Sequence, residues 1–402
     1  MANSLSAFNP AYWSKRMQVI HEKETVYRMI ANFEERATLK DGDTVHRPYR
    51  SALVAQTYTR NTAVTVQDIT ATDESLVVNT AKIVPFYVDD LDALQNKWDT
   101  VNRFADDAST KLYQFVDADV LGEYDQATSV LDEADFGGTS GNGITITTSN
   151  VMQVFARAGK KLDALNIKRQ DWFAVISPQI YQVLLEYLGG KESSLGDSTN
   201  QNGNVGTFMG FKLYMSNNLS FSAKLLIGTQ PTDGDTVTIN NVVFTFKTTL
   251  GSTAGNVLIG ANAAAAITNL VALINAPLTT TAQGVALSAA NAAKLGQITA
   301  TAVSGGLTIK HEGGSYESNG VALAEGLTAA ADIWTAALQI QHLLFGQKGA
   351  IDVVVQKEPS VEFRMIQDKL GRNVLPWVYY GLKTFAEGKD CLVDVKARTD
   401  AY

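Results

Sequence analysis

Apolar positions at steps of three and four run unbroken from Asp89 to Tyr124, through Leu91, Leu94, Trp98, Val101, Phe104, Ala105, Ala108, Leu112, Phe115, Val116 and Val120. That spacing keeps one stripe on one face and predicts a single long helix. Asp92, Asn96, Lys97, Arg103, Asp106, Asp107, Lys111 and Asp117 fall on the opposite, wet face, and neither Gly nor Pro interrupts before Gly122. Asp89 and Asp90 can cap the first turn, Asp92 with Gln95 fits a capping box, and Pro85 stands just outside. About 35 residues at ~1.5 Å each make a rod of roughly 50 Å, longer than a typical globular helix. Such a stripe belongs either to the core helix of an ordinary α+β domain or to the spine of an elongated, flat subunit.

Ahead of it, Pro10 to Arg36 reads as an amphipathic helix or pair of helices, with Trp13, Met17, Ile20, Tyr27, Ile30 and Phe33 on one side. Asp41-Gly-Asp-Thr44 is a turn. His46 to Ile83 has β character: Val54, Gln56 and Tyr58 alternate with Leu53, Ala55 and Thr57, Val64 and Val66 continue, and Leu76–Val78 with Ile83 form the return. Asp68 to Ser75 is polar and reads as the tip of a two-stranded ribbon. Two strands alone are marginal in water, so the ribbon must lie on something else, in this chain or on a neighbour.

Behind the long helix, Asp135 to Gly143 is a glycine-rich loop, and Ser149 or Asn150 can cap a helix through Val151, Val154, Phe155, Ala158, Leu162 and Leu165. Trp172–Ile176 is a buried-type strand; Ser177 with Pro178 opens a helix that ends at Gly189-Gly190. Phe211–Met215 and Lys224–Ile227 are strands. From Gly228 to Ala337 the chain turns rich in Ala, Thr, Gly and Asn and poor in charge. It holds a strand pair, Asp233–Ile239 and Val242–Phe246, around Asn240-Asn241, a helix within Ala261–Ala276 stopped by Pro277, and a second hairpin around Gly305-Gly306. This reads as a small α+β module, expected to fold by itself, that splits one domain into two sequence pieces. Ile351–Val355, Val361–Met365, Val374–Tyr380 and Leu392–Val395 are the closing strands.

The 402 residues suffice for two or three domains with a sizeable core. A net charge of −8 argues against a general nucleic-acid or membrane-surface binder. Residues 1–50 alone carry eight Lys/Arg against six Asp/Glu, a mild excess that reads first as a solvated face and second as an arm toward a neighbour or packaged nucleic acid. No signal-peptide pattern or membrane-spanning run is present, and Cys391 stands alone, so cytosolic production is the simplest expectation. His21, His46, His311 and His342 lie in four separate segments without metal-ligand spacing. No G-x-S-x-G, phosphate loop or dinucleotide fingerprint occurs, and the two DGDTV stretches at Asp41 and Asp233 lack the later carboxylates of a calcium loop. The sequence therefore offers no catalytic residue, no metal site and no cofactor.

The order of arm, ribbon, long helix and split α/β domain resembles the major capsid proteins of tailed bacteriophages with the Hong Kong 97 fold. The residues that carry the likeness are GDTVHRPYR at Gly42–Arg50, VPFYVDDLDALQ at Val84–Gln95, DWFAVISPQIYQVLL at Asp171–Leu185 and the closing strands Ile351–Arg364. The resemblance covers 1–227 and 343–402. It implies an α+β, Hong Kong 97-like fold divided as 1–46 N-terminal arm, 47–83 extended loop, 84–135 peripheral domain with spine helix, 136–227 first part of the axial domain, 228–342 inserted α+β domain, and 343–402 closing strands. It further implies a coat protein, not an enzyme, that self-assembles into hexamers and pentamers of an icosahedral virion head in the host cytoplasm. The implied partners are further copies of itself, a separate scaffolding protein, a portal protein, packaged dsDNA by non-specific contact, and a decoration protein; no membrane is implied. About 45 residues precede the ribbon, too few for a fused scaffolding segment plus the arm. Arg47, Tyr49, Arg50, Tyr58 and Arg60 of the loop and Trp13 and Arg16 of the arm are the expected subunit-interface residues. An encapsulin-like compartment shell and a secreted adhesin or carbohydrate-binding protein are the alternatives.

Overall fold

The computed structural model describes residues 23–34, 42–50, 53–64, 66–69, 71–89, 100–190, 205–313, 321–365 and 371–398. Within these, the long helix α2 runs Thr100–Gly122; the first part of its expected course lies outside the described residues. Its stripe is buried at Ala105, Ala108, Leu112, Val116 and Val120 as the spacing requires, whereas Phe104 is half exposed. Asp117, expected on the wet face, is fully buried. The reason is local: its Oδ1 accepts from the Val26 and Tyr27 amides at 2.8 and 2.7 Å, and its Oδ2 from Asn218 Nδ2 at 3.0 Å. The amide donors come from the preceding segment, whose described part, 23–34, holds the helical turn α1 (Tyr27–Ile30); the rest of the amphipathic stretch expected from Pro10 to Arg36 lies outside the described residues. Ala31 to Phe33 do not continue the helix, because Asn32 instead bridges to Asp352.

The ribbon is β1 (Thr44–Arg50) and β2 (Ala71–Val77), paired antiparallel from Thr44↔Val77 to Arg50↔Ala71. The polar stretch expected at the tip thus supplies the return strand, and the apolar alternation of Leu53 to Val66 makes no ladder. A strand pair holds where one face can pack, and that surface exists only at the ribbon's base. There Val45, Leu76 and Val78 bury against Val354 and Phe385. Next come β3 (Thr80–Ile83) and β4 (Phe86–Asp89), both antiparallel to a later strand.

Beyond α2, β5 (Ser129–Leu131) precedes a 3-10 turn at Glu133–Phe136 that overlaps the start of the expected loop, closed by an Asp132–Asp135 capping box and Gly137 at φ 90°. Helix α3 (Val151–Ala164) follows; Asn150 occupies the cap position but hydrogen-bonds backward, to Thr147 and Thr145. β6 (Trp172–Ile176) is buried throughout, and Ser177 caps α4 (Pro178–Gly189). β7 (Thr207–Phe208), β8 (Phe211–Met215) and β9 (Phe221–Leu226) lead to residue 228.

In the low-charge region, β10 (Thr236–Ile239) and β11 (Val242–Lys247) turn through Asn240 and Asn241 at φ 50° and 59°, the left-handed values of a two-residue hairpin turn. β12 (Asn256–Leu258), α5 (Ala263–Asn275) and α6 (Ala289–Lys294) follow, then the hairpin β13 (Ile298–Val303) and β14 (Gly306–His311), and β15 (Leu323–Gly326). β12, β11, β10 and β15 form one sheet. The hairpin does not: β14 pairs antiparallel with β9 from Gly306↔Leu226 to His311↔Phe221. The apolar core here accordingly combines Val237, Phe244, Leu270 and Ile309 with Phe221, Ala223, Leu225 and Ile227. Outside β13, the Asn275 side chain exchanges two 2.8 Å hydrogen bonds with the Ala300 backbone, one to its carbonyl and one from its amide.

The closing strands are β16 (Ile340–Gln347), β17 (Asp352–Met365), β18 (Gly371–Lys383) and, after the short α7 (Ala386–Asp390), β19 (Leu392–Arg398). The two strands expected at 351–355 and 361–365 are one, irregular around Lys357 and Pro359. β16, which the pattern did not single out, joins β9, β6 and β19 in a nine-stranded sheet ordered β13-β14-β9-β16-β6-β8-β7, with β19 and β5 added at β16. A second sheet joins β17, β18, β3 and β4, and the spine packs across β17 and β18. The main core joins spine, α3, α4 and both sheets.

Candidate assembly surface

The ribbon is tied down at its base and bare beyond it. Arg47 Nη1 donates to Asp352 Oδ2 at 3.1 Å and Glu387 Oε1 at 3.0 Å, and its guanidinium lies 4.3 Å from the Phe385 ring centre. Lys383 Nζ donates to the Ser75 carbonyl at 2.8 Å, the Ala386 amide to Glu74 at 3.0 Å, and Gln356 to the Gly42 carbonyl at 2.7 Å. Asp352 is almost completely buried, so Arg47 compensates a carboxylate that water cannot reach. At Gly381 of β18 a Cβ would stand 2.5 Å from the Val77 carbonyl; glycine lets the ribbon's base lie directly on the sheet.

Beyond Arg50 the chain runs out to a turn at Arg60–Asn61, with Asn61 at φ 65°, and returns. The Gln67 side-chain amide bonds both the amide and the carbonyl of Val54, holding the two limbs together without a ladder. Leu53, Val54, Tyr58, Val64, Val66 and Ile69 are all more than 60% exposed, Val66 at 87%. A run of bare apolar side chains on one projecting segment marks a surface meant to be covered.

Of the residues expected at an interface, Tyr49 and Tyr58 are exposed and Arg60 lies at the turn. Arg50 ends β1. Arg47 instead holds the ribbon to its own chain, and Trp13 and Arg16 lie outside the described residues. Leu53, Val64 and Val66, expected in an alternating strand, and Ile69, expected in the polar tip, are bare here rather than paired.

One arrangement resembles hydrolytic chemistry. His342 Nε2 meets Ser222 Oγ at 2.8 Å, and His342 Nδ1 meets Asp394 at 2.9 Å. Ser222 sits mid-strand in β9, its backbone neighbours being Lys310 and Ile340 of the flanking strands. His342 and Asp394 are buried, and Tyr124 stacks on the imidazole at 3.7 Å. The array thus cross-links β9, β16 and β19 below the end of the spine. Lys310 lies over the other side of that corner, donating to the Gly122 carbonyl at 3.1 Å and to Asp125 at 3.0 Å. A cation there offsets the negative end of the helix. Among the described residues, no group of three or more His, Cys, Asp and Glu is placed to hold a metal ion, and no helix is long and apolar enough to cross a membrane.

No protein-family model matches the chain, and no curated protein does. Solved structures do. A chain of Mycobacterium phage Che8 superposes with a TM-score of 0.58 at 14% identity, over 97% of this chain and 98% of that one. A chain from a capsid structure of cyanophage P-SCSP1u gives 0.55 at 11% identity, over 100% and 96%. One from the mature capsid of bacteriophage PhiM1 gives 0.51 at 8% identity, over 97% and 92%. At such identities the likeness is one of fold, and it extends through the inserted region to nearly the full length of each chain. The chain therefore has the α+β fold of tailed-phage capsid proteins, the Hong Kong 97 fold.

Proposed function

We propose that this chain is a major capsid protein, a structural shell subunit without catalytic function, that assembles with copies of itself into the hexamers and pentamers of an icosahedral head around dsDNA. The observation that carries the reading is the projecting loop. Its base is fastened by Arg47, Lys383 and Glu74, while Leu53 to Ile69 present apolar side chains to solvent. A neighbouring copy is the partner that would cover them, each subunit lending its loop to the next. Tyr49, Tyr58 and Arg60 stay in this reading as contact residues, joined by Leu53, Val64 and Val66; Arg47 acts through the loop's anchorage. The Ser222–His342–Asp394 array is read as a cross-link between strands, since all three side chains lie on paired strands of one sheet and the imidazole is buried under Tyr124. A separate scaffolding protein, a portal, a decoration protein and assembly in the host cytoplasm complete the proposal.

Expression of the full chain, alone and with candidate scaffolding proteins, followed by electron microscopy tests it. Closed shells are expected. Replacing 53–69 with a short glycine linker retains the ribbon and should leave folded, unassembled subunits. Normal shells from that variant would overturn the reading.

A further inference from the structure

The segment 23–31 is a strap laid across the spine, and it covers a carboxylate. Val26, Tyr27, Ile30 and Ala31 are all buried. Beneath them Asp117 accepts the Val26 and Tyr27 amides, and Asn218 links Asp117 to the Gln114 carbonyl at 2.7 Å. Gln114 Nε2 in turn donates to the Lys23 carbonyl at 3.1 Å, and Lys23 Nζ donates to the Gly313 carbonyl of the inserted region at 2.6 Å. The strap is thereby held by the spine at Asp117 and Gln114 and by the insert at Gly313, while Asn218 of the β8–β9 loop braces Asp117 from below. With the strap raised, the Asp117 carboxylate would face water; with it lowered, the carboxylate is sealed.

We propose that lowering the strap takes up a proton at Asp117, so that residues 23–31 are held more tightly in mildly acidic than in alkaline solution. An exposed aspartate titrates near the ordinary carboxylate value. Under the strap, burial outweighs the bonds from Asn218, Val26 and Tyr27 and the charge of Lys23, and moves Asp117 up to about 6. The sign follows from linkage: the state with the higher proton affinity gains as pH falls through that value. One neutral carboxyl oxygen can still accept both strap amides, so protonation removes the buried charge without removing the acceptor. The other charged groups at the site work around this. Lys23 on the strap favours the carboxylate, and Lys111 on the spine is engaged with Gln114 at 3.3 Å. His311 on β14 is buried beside Lys23 and pulled down to about 4 by burial and by that charge, so it stays neutral until well below pH 6.

Hydrogen exchange of the Val26, Tyr27, Met29 and Ala31 amides in the full chain, corrected for intrinsic rates, measures the strap. Between pH 7.5 and 5.5 their protection should rise about fourfold, from the displacement of Asp117 from its ordinary value to about 6. In Asp117→Asn the rise should vanish, and in His311→Gln it should persist. A flat or falling wild-type profile overturns the proposal, as does an undiminished rise in Asp117→Asn or its loss in His311→Gln. If Asp117→Asn frees the strap at every pH, the wild-type and His311→Gln profiles decide by the same criteria.

Discussion

Cutting the inserted region out at residue 228 should leave a fragment that does not fold. Phe221, Ala223, Leu225 and Ile227 stand before that boundary, each at most 1% exposed, inside the insert's own core. Burying a large aliphatic or aromatic side chain contributes about 1.5–3 kcal/mol. The three large ones lost with the cut, Phe221, Leu225 and Ile227, therefore carry roughly 5–9 kcal/mol by that scale. A domain of about 110 residues has a net stability on the order of 5–15 kcal/mol, so the loss consumes most or all of it. The cut also strips β14 of its ladder from Gly306 to His311. Fragments 228–337 and 219–342 should be compared by near-ultraviolet circular dichroism and urea titration. The shorter should show no cooperative transition, and the longer, with β9 restored, should show one. A cooperative transition for 228–337 at the same urea midpoint would refute the reasoning and return the insert to an autonomous unit.

Further outcomes follow from single contacts. Arg47→Ala removes the cation that compensates buried Asp352, leaving it the Asn32 amide, and bares Phe385, and should cost about 2–4 kcal/mol in urea unfolding; Arg47→Lys should recover only part, because a point charge cannot bond Asp352 and Glu387 while covering the ring. Gly381→Ala forces a methyl against the Val77 carbonyl; exchange protection of β1 and β2 should fall more than that of β6, and equal loss in both would contradict ribbon docking. His311 is held neutral in the fold, with its value depressed to about 4. It therefore withdraws stability as pH falls from about 6.5 to about 4, by up to roughly 3 kcal/mol, and His311→Gln should flatten the urea midpoint over that window. His342→Phe removes the bridge between Ser222 and Asp394 and leaves Asp394 buried without its imidazole; a loss of about 3 kcal/mol or more is expected, and a neutral result would deny the array its structural role.

The spine, α3, α4 and the Asn240-Asn241 hairpin were legible because their signals are local: a stripe at helical spacing, a serine cap before Pro178, two residues tolerant of positive φ. The ribbon was legible as a pair but not in register. Its pairing is decided by Val354 and Phe385, some 270 residues or more away in sequence, which no window along 46–83 contains. β16 escaped because Gln341 and His342 break its apolar run, and both are buried by groups distant in sequence, on β9, β19 and, for His342, Tyr124. Asp117 was assigned to water for the same reason: nothing on the helix announces that two amides some 90 residues earlier will close over it. The insert's edges were read from composition, which changes at residue 228, whereas its packing begins at Phe221.

The side chain of Asn275 bears on solubility. β13 ends the nine-stranded sheet with the sequence Ile-Thr-Ala-Thr-Ala-Val, uncharged, β-prone and without proline. Such a hexamer with a free rim is a template onto which another polypeptide can zip, and the hazard grows with concentration. At Ala300, Asn275 presents a donor and an acceptor in the places where a foreign strand would put its own. Wherever many copies of this chain are crowded together, one amide helps keep their contacts to the surfaces built for them, and Asn275→Leu should surrender that protection as fibrillar, thioflavin-positive aggregate from otherwise folded protein.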